Sequence, residues 1–363
     1  MKLILFLLTL FSGFLTNLYA KPTLDEKIGQ MLMVGFEGYE LNEELKTFIN
    51  KYKVGGLVFV STGVNKNRIP NIKDPKQIEK LVIDIKKINP TLFIALDQEG
   101  GKVARLRARN GFEDTLSHEK LGFMIDKEVY KQSVDLARLV HKYGFNYNFA
   151  PVVDVKRDGN PVISGLQRAF SDNVESIYEL AKVYIKGQND VGVITSVKHF
   201  PGHGSSTEDT HLKMVDVSAT WSEDELIPYE RLIKDGYNDS IMIAHVFNKN
   251  IDDKYPASLS KKTITDLLRN KMGYNGVIIT DSLDMRAISD EYGFKDMVIN
   301  AINAGNDILM YVNNIDKPYD EKAVENIFNI IKTAIKNGEI SEQRINESYE
   351  RIIALKKRYK IIG

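Results

Sequence analysis

The chain has 363 residues, 43% of them apolar, and its 49 basic and 49 acidic side chains give a formal charge of zero. That length suits one large α/β barrel or two ordinary domains, and the balanced charge points to neither nucleic acid nor an anionic membrane surface. Cysteine is absent, which excludes disulfides, thiol catalysis and cysteine-based zinc sites and suits an oxidising compartment.

Residues 1–20 read as a secretory signal: Lys2 gives a positive start, 3–15 is an apolar core, and Ala20 precedes the expected cut. The alternative is an uncleaved N-terminal anchor. Polar breaks at Thr9, Ser12, Thr16 and Asn17 make the run weak as a spanning helix. The remaining 21–363 shows no linker or repeat that would split off a second domain. Eight short apolar runs follow, at 31–36, 56–60, 92–96, 145–150, 193–197, 240–244, 276–280 and 307–312. They are rich in Val, Ile and Phe and bounded by Gly, Asp or Asn, as buried strands are. Helical patterns lie between them near 42–51, 76–87, 127–142, 174–189, 223–234, 261–271 and 293–304, and a last pair, 321–336 and 341–358, closes the chain. Ser341 is placed to cap the final helix. This alternation predicts a single (β/α)8 TIM-type barrel, with a doubly wound open sheet as runner-up. Asp97, Asp154, Lys198, His199, His245 and Asp281 follow the third to seventh runs. In a barrel they are expected to line the catalytic mouth.

The densest chemistry is in 198–211, KHFPGHGSSTEDTH, which holds three of the six histidines. Pro201, Gly202 and Gly204 forbid a helix there, so Lys198 and His199 belong to a strand end while Asp209 and His211 ride on a loop. In an extended Asp209-Thr210-His211 both outer side chains point the same way, so the Asp can hold one ring nitrogen and leave the other to exchange a proton. The plain reading is a solvated polar loop. Asp281 ends the buried run GVIITDSLDM and reads equally as a helix cap or a catalytic carboxylate. Asp97 and Arg105, in DQEGGKVARLR, and Arg168, in GLQRAF, fit either ion pairs or sugar-hydroxyl recognition. A metal site built on His199, His203, Asp209 and His211 competes weakly, because the loop cannot align the imidazoles and no HExxH pattern exists. His118 and His141 sit in helical surroundings and read as structural.

Together, LDQEGGKVARL, GLQRAFS, KHFPGHGSSTEDTH, PASLS and GVIITDSLDM resemble, in order, the NagZ-type β-N-acetylglucosaminidases of glycoside hydrolase family 3. The resemblance implies a single barrel and a retaining double displacement without metal or organic cofactor. By motif match it implies Asp281 as nucleophile, His211 as general acid/base and Asp209 as its partner. Lys198, His199, Asp97, Arg105 and Arg168 match the sugar-binding positions. Ser282 departs from relatives that carry a second Asp there. Three functions are therefore weighed: hydrolysis of terminal β-GlcNAc from peptidoglycan fragments or related oligosaccharides by an exported monomer, phosphorolysis of the same bond, and a non-catalytic wall-binding barrel.

Overall fold

The computed structural model describes residues 21–61, 69–313 and 319–363; the leader expected over 1–20 lies outside them. Eight strands form one sheet: β1 Leu32–Gly35, β2 Gly56–Phe59, β3 Phe93–Leu96, β4 Tyr147–Asn148, β5 Ile194–Phe200, β6 Ser240–Ile243, β7 Val277–Thr280 and β8 Leu309–Tyr311. Their spatial order is β8-β1-β2-β3-β4-β5-β6-β7, with every neighbouring pair parallel. The two ends meet through a parallel bridge between Ile279 and Ile308, where Thr280 N–H donates to Ile308 O at 3.1 Å. The sheet is therefore a (β/α)8 barrel and not the open runner-up.

The strand residues are buried on both faces, which explains their unalternating apolar sequences. Inside, Phe59 stacks edge-on against Phe36 and Phe145 at 5.0 and 5.1 Å. The helices bury one stripe. In Pro75–Ile88 it is Ile78, Leu81, Val82 and Ile85, the i, i+3, i+4, i+7 spacing, each contributing about 1.5–3 kcal/mol on burial. Asp74 and Ser341 cap their helices through their side chains. Gly35 is required where β1 meets the end of β8, since a Cβ there would lie 2.0 Å from Val312 O.

Four local features depart from expectation. A helix at Leu24–Gln30, closed by a Thr23–Glu26 capping box, precedes β1. The regular part of β4 is shorter than 145–150, although the chain beyond it keeps bonding β5, with Ser196 N–H donating to Ala150 O at 3.0 Å and Val153 N–H to Lys198 O at 2.9 Å. β5 runs past 197 through Phe200, so Lys198 and His199 belong to the strand itself; its register shifts between Val197 and Phe200. Val215–Asp216 and Val246–Phe247 form a small parallel ribbon outside the barrel; two residues per strand are too few to leave a periodic pattern.

Opposite the mouth, Lys356 is fully buried. Its ammonium donates to Gln30 Oε1 at 2.6 Å and Gly55 O at 3.0 Å, and it lies 4.7 Å from the centre of the Phe93 ring. Burial pushes it down to about 7.

Candidate active site

A cavity of about 250 Å³ opens where the strands end. Asp97, Arg105, Arg168, Lys198, His199, His211 and Asp281 all line it. They come from the ends of β3, β5 and β7 and from the loops after β3, β4 and β5, the face on which barrel enzymes place their chemistry.

One wall is a chain of alternating charge. Arg105 Nη2 bonds Asp97 Oδ2 at 2.8 Å, and Lys198 Nζ bonds Asp97 Oδ1 at 2.7 Å. Lys198 also reaches Glu99 Oε1 at 2.7 Å, and Arg168 grips the same carboxylate through Nε at 2.7 Å and Nη2 at 2.8 Å. Arg168 Nη2 lies 3.0 Å from His199 Nε2. A guanidinium only donates, so Nε2 accepts and the ring proton sits on Nδ1, 2.6 Å from Asp154 Oδ2. Burial would raise the Asp97 carboxyl, but Lys198 and Arg105 outweigh it and hold the group at about 2. Glu99 shares that opposition of burial against Arg168 and Lys198 and titrates below its ordinary range. Both are therefore anions near neutrality.

Asp281 sits at the end of β7, its N–H bonded to Ile243 O at 3.0 Å and its Oδ1 accepting from Ser282 N–H at 2.7 Å. Burial would raise its carboxyl; the imidazoles of His245, His199 and His211 and the Ser282 N–H hold it below the ordinary value. Ser282, in place of the expected second Asp, donates its hydroxyl to Asp284 and accepts from Val312 N–H, which ties the end of β8 to this turn.

The Asp209–His211 pair is set differently from the extended geometry expected. Residues 209–212 form a turn, with Leu212 N–H donating to Asp209 O at 3.1 Å. Asp209 Oδ1 takes both His211 N–H at 2.8 Å and ring Nδ1 at 2.6 Å. An Asp side chain that bonds its own backbone two residues on favours such a turn. The ring is held as foreseen, by different backbone geometry, and Asp209 stands behind it. The His211 side chain is 44% exposed. Burial opposes its charge, but the hydrogen bond and charge of Asp209, with Asp281 beyond, raise its pKa above the ordinary 6.5.

Asp154 and His245, expected at the mouth, stand one layer behind it. Asp154 is 1% exposed and spends its carboxylate on His199 and on His203 N–H. His245 is fully buried between Ser258 Oγ and Ser282 O, at 2.7 and 2.9 Å. The reason is that both bond neighbouring strand ends, which draws them inward. Glu99 was not singled out by its sequence; only the arrival of Lys198 and Arg168 from distant segments reveals it. Glu225 was also missed. It supports the loop from beneath, accepting from Gly204 N–H at 2.9 Å and from the Ser205 hydroxyl. His118 is buried against Phe170 and Tyr184, and His141 lies in the last turn of Asp126–Lys142. Among the described residues no cluster of His, Asp and Glu is arranged to hold a metal ion, and no helix is long and apolar enough to cross a membrane.

The chain matches the model of the glycosyl hydrolase family 3 N-terminal domain over residues 23–355. It is 31% identical to beta-hexosaminidase A of Pseudoalteromonas piscicida across 95% of this chain and 63% of that protein. It is 33% identical to a beta-hexosaminidase of Tolumonas auensis across 78% of this chain and 83% of that one. A protein of Arthroderma benhamiae described as a secreted glycosyl hydrolase is 32% identical over 91% of this chain and 92% of its own. A family 3 beta-N-acetylglucosaminidase from a Paenibacillus strain superposes with a TM-score of 0.84 at 32% identity, covering 94% of this chain and 64% of that one. The chain thus spans somewhat under two thirds of the Pseudoalteromonas and Paenibacillus proteins. A barrel with these strand-end residues, matched over nearly all its described length, belongs to glycosyl hydrolase family 3 through its N-terminal domain.

Proposed function

We propose that residues 21–363 form one catalytic domain, an exo-acting retaining β-N-acetylglucosaminidase. The observation that supports this reading is that His211, held by Asp209, lines the same cavity as Asp281. In the first step a carboxylate oxygen of Asp281 attacks the anomeric carbon. The bond to the leaving oxygen breaks, and His211 Nε2 supplies the proton that this oxygen takes up. In the second, His211 withdraws a proton from water, the water oxygen attacks the same carbon, and Asp281 is released. Two inversions return the starting configuration. A raised imidazole and a lowered carboxyl put both groups in the required state near neutrality. Asp97, Arg105, Lys198, Arg168 and His199 hold the hydroxyls of the terminal sugar. About 250 Å³ lies below the roughly 300–1,000 Å³ of sites for drug-sized ligands and suits one ring, hence removal of terminal residues. The names of the relatives support GlcNAc; the apolar leader and the secreted relative support export, with wall fragments as the natural substrate and a monomer as the working form.

Purified protein is expected to release p-nitrophenol from its β-GlcNAc glycoside, at a rate independent of phosphate, with β-GlcNAc as the first product by proton NMR. Phosphate-stimulated release of a sugar 1-phosphate would mean phosphorolysis. Binding without turnover would mean a non-catalytic barrel.

A further inference from the structure

The root and the tip of the loop after β5 are secured very differently. At the root, His203 N–H donates to Asp154 Oδ1 at 2.8 Å, and Asn160 Nδ2 donates to His203 O at 2.8 Å and Gly204 O at 2.9 Å. Glu225 takes the next N–H. Asp154, Asn160 and Glu225 are each at most 3% exposed. At the tip, Thr210 is the one buried residue in 207–213. Its hydroxyl lies 3.1 Å from His203 Nε2, whereas its carbonyl accepts only a long bond, 3.4 Å, from Ala287 N–H. His203 Nδ1 is buried and has no hydrogen-bond partner among the described residues. The ring packs edge-on against His199 at 5.7 Å. It therefore makes one directed bond, to the residue between Asp209 and His211.

We propose that His203 is a positioning residue whose imidazole acts as a strut, holding the Asp209–His211 pair at the cavity through the Thr210 hydroxyl. The inference rests on the reading of His211 as proton donor. Burial, reinforced by the neighbouring His199, pushes the His203 imidazole down to about 4, so the strut stays neutral while His211 titrates. The consequence is geometric. A donor must come within about 2.6–3.2 Å of the leaving oxygen, and misplacement by about 1 Å costs up to about 100-fold. A strut fixed to the same Asp154 that holds His199 places donor and sugar clamp in one frame.

The test uses the full chain and two β-GlcNAc glycosides, one with a 2,4-dinitrophenyl leaving group that departs without protonation and one with a poor leaving group, benzyl. The readout is kcat/KM, which covers steps up to the glycosyl-enzyme. Thr210→Val is expected to lower it roughly ten-fold on the benzyl substrate and at least several-fold less on the dinitrophenyl one, with Thr210→Ser restoring most of the loss. His203→Gln should show the same selectivity, and the double variant should be no worse than the poorer single one. Equal losses on both substrates, no loss on either, or additive effects in the double variant would overturn the strut. His211→Asn is the control. Selective loss there alongside unselective Thr210→Val leaves the donor reading standing and the strut refuted. Unselective loss in His211→Asn would refute both.

Discussion

Replacing Glu99 by Gln keeps the shape of the most enclosed carboxylate in the cavity wall and removes its charge. Glu99 is fully buried and accepts three charge-assisted bonds, one from Lys198 and two from Arg168, all at 2.7–2.8 Å. The amide keeps one acceptor and turns a donor toward a donor. Lys198 retains Asp97, but Arg168 keeps only Val162 O and His199 Nε2 and loses its carboxylate. The loss approximates the breaking of one buried ion pair, about 3–5 kcal/mol. Because cations hold the Glu99 carboxyl below its ordinary 4.5, its contribution is complete above that value and fades as pH falls through the depressed one. Urea unfolding at pH 7 should therefore show a clearly lower midpoint for the variant, and the gap should narrow on acidification. KM for the aryl glycoside should rise, because Arg168 and His199 lose their alignment. A variant with the wild-type midpoint and KM at pH 7 would refute this account of the wall.

Asp281→Asn is expected to lower kcat about 10³-fold or more and to leave the thermal midpoint at pH 7 unchanged or somewhat lower, since a carboxyl held below its ordinary value stabilises the fold as an anion; a melt and an initial-rate assay decide it, and a raised midpoint would contradict the account of its surroundings. In Asp209→Asn the imidazole of His211 loses its main upward influence, so the alkaline limb of the kcat/KM profile, set above 6.5 in the wild type, should move to lower pH; an unmoved limb would remove Asp209 from the proton-transfer role. Gly202 has φ +122° and a Cβ there would meet the Glu225 side chain at 2.5 Å, so Gly202→Ala should cost about 1–3 kcal/mol, read by urea unfolding, and should slow turnover with it. Lys356 titrates below its unfolded value of 10.5, so its burial penalty is absent above that pH and grows as pH falls toward about 7. Stability of Lys356→Met relative to wild type should therefore increase by a few kcal/mol from pH 10 to pH 7.

The barrel was legible because β2, β3, β6 and β7 are short runs of apolar residues buried on both faces, and such runs separated by amphipathic helices admit few architectures. The positions of Asp97, Lys198, His199 and Asp281 at the cavity were legible because each follows or ends such a run, whereas His211, on the loop beyond β5, was legible only from its Asp-x-His pattern and the motif around it. Glu99, Asp154 and Glu225 were not legible in their roles. A buried carboxylate is defined by the cations and N–H groups that reach it, and those come from residues 69, 45 and 21 positions away, at Arg168, His199 and Gly204. The turn at 209–212 was also hidden, because Asp-x-His serves an extended segment and an Asp-capped turn alike.

The small volume at the mouth, on the proposed exo-acting reading, carries a quantitative consequence for polymeric substrates. A pit that admits one ring senses chain ends and is blind to chain length. For oligosaccharides of different sizes supplied at equal mass, the initial rate should follow the number of non-reducing termini, and each product molecule should be as good a substrate as its parent until the last linkage. Progress curves of released sugar would then show no lag, successively shorter chains would rise and fall in turn, and an endo-acting enzyme that multiplies termini would accelerate this one in proportion to the cuts it makes.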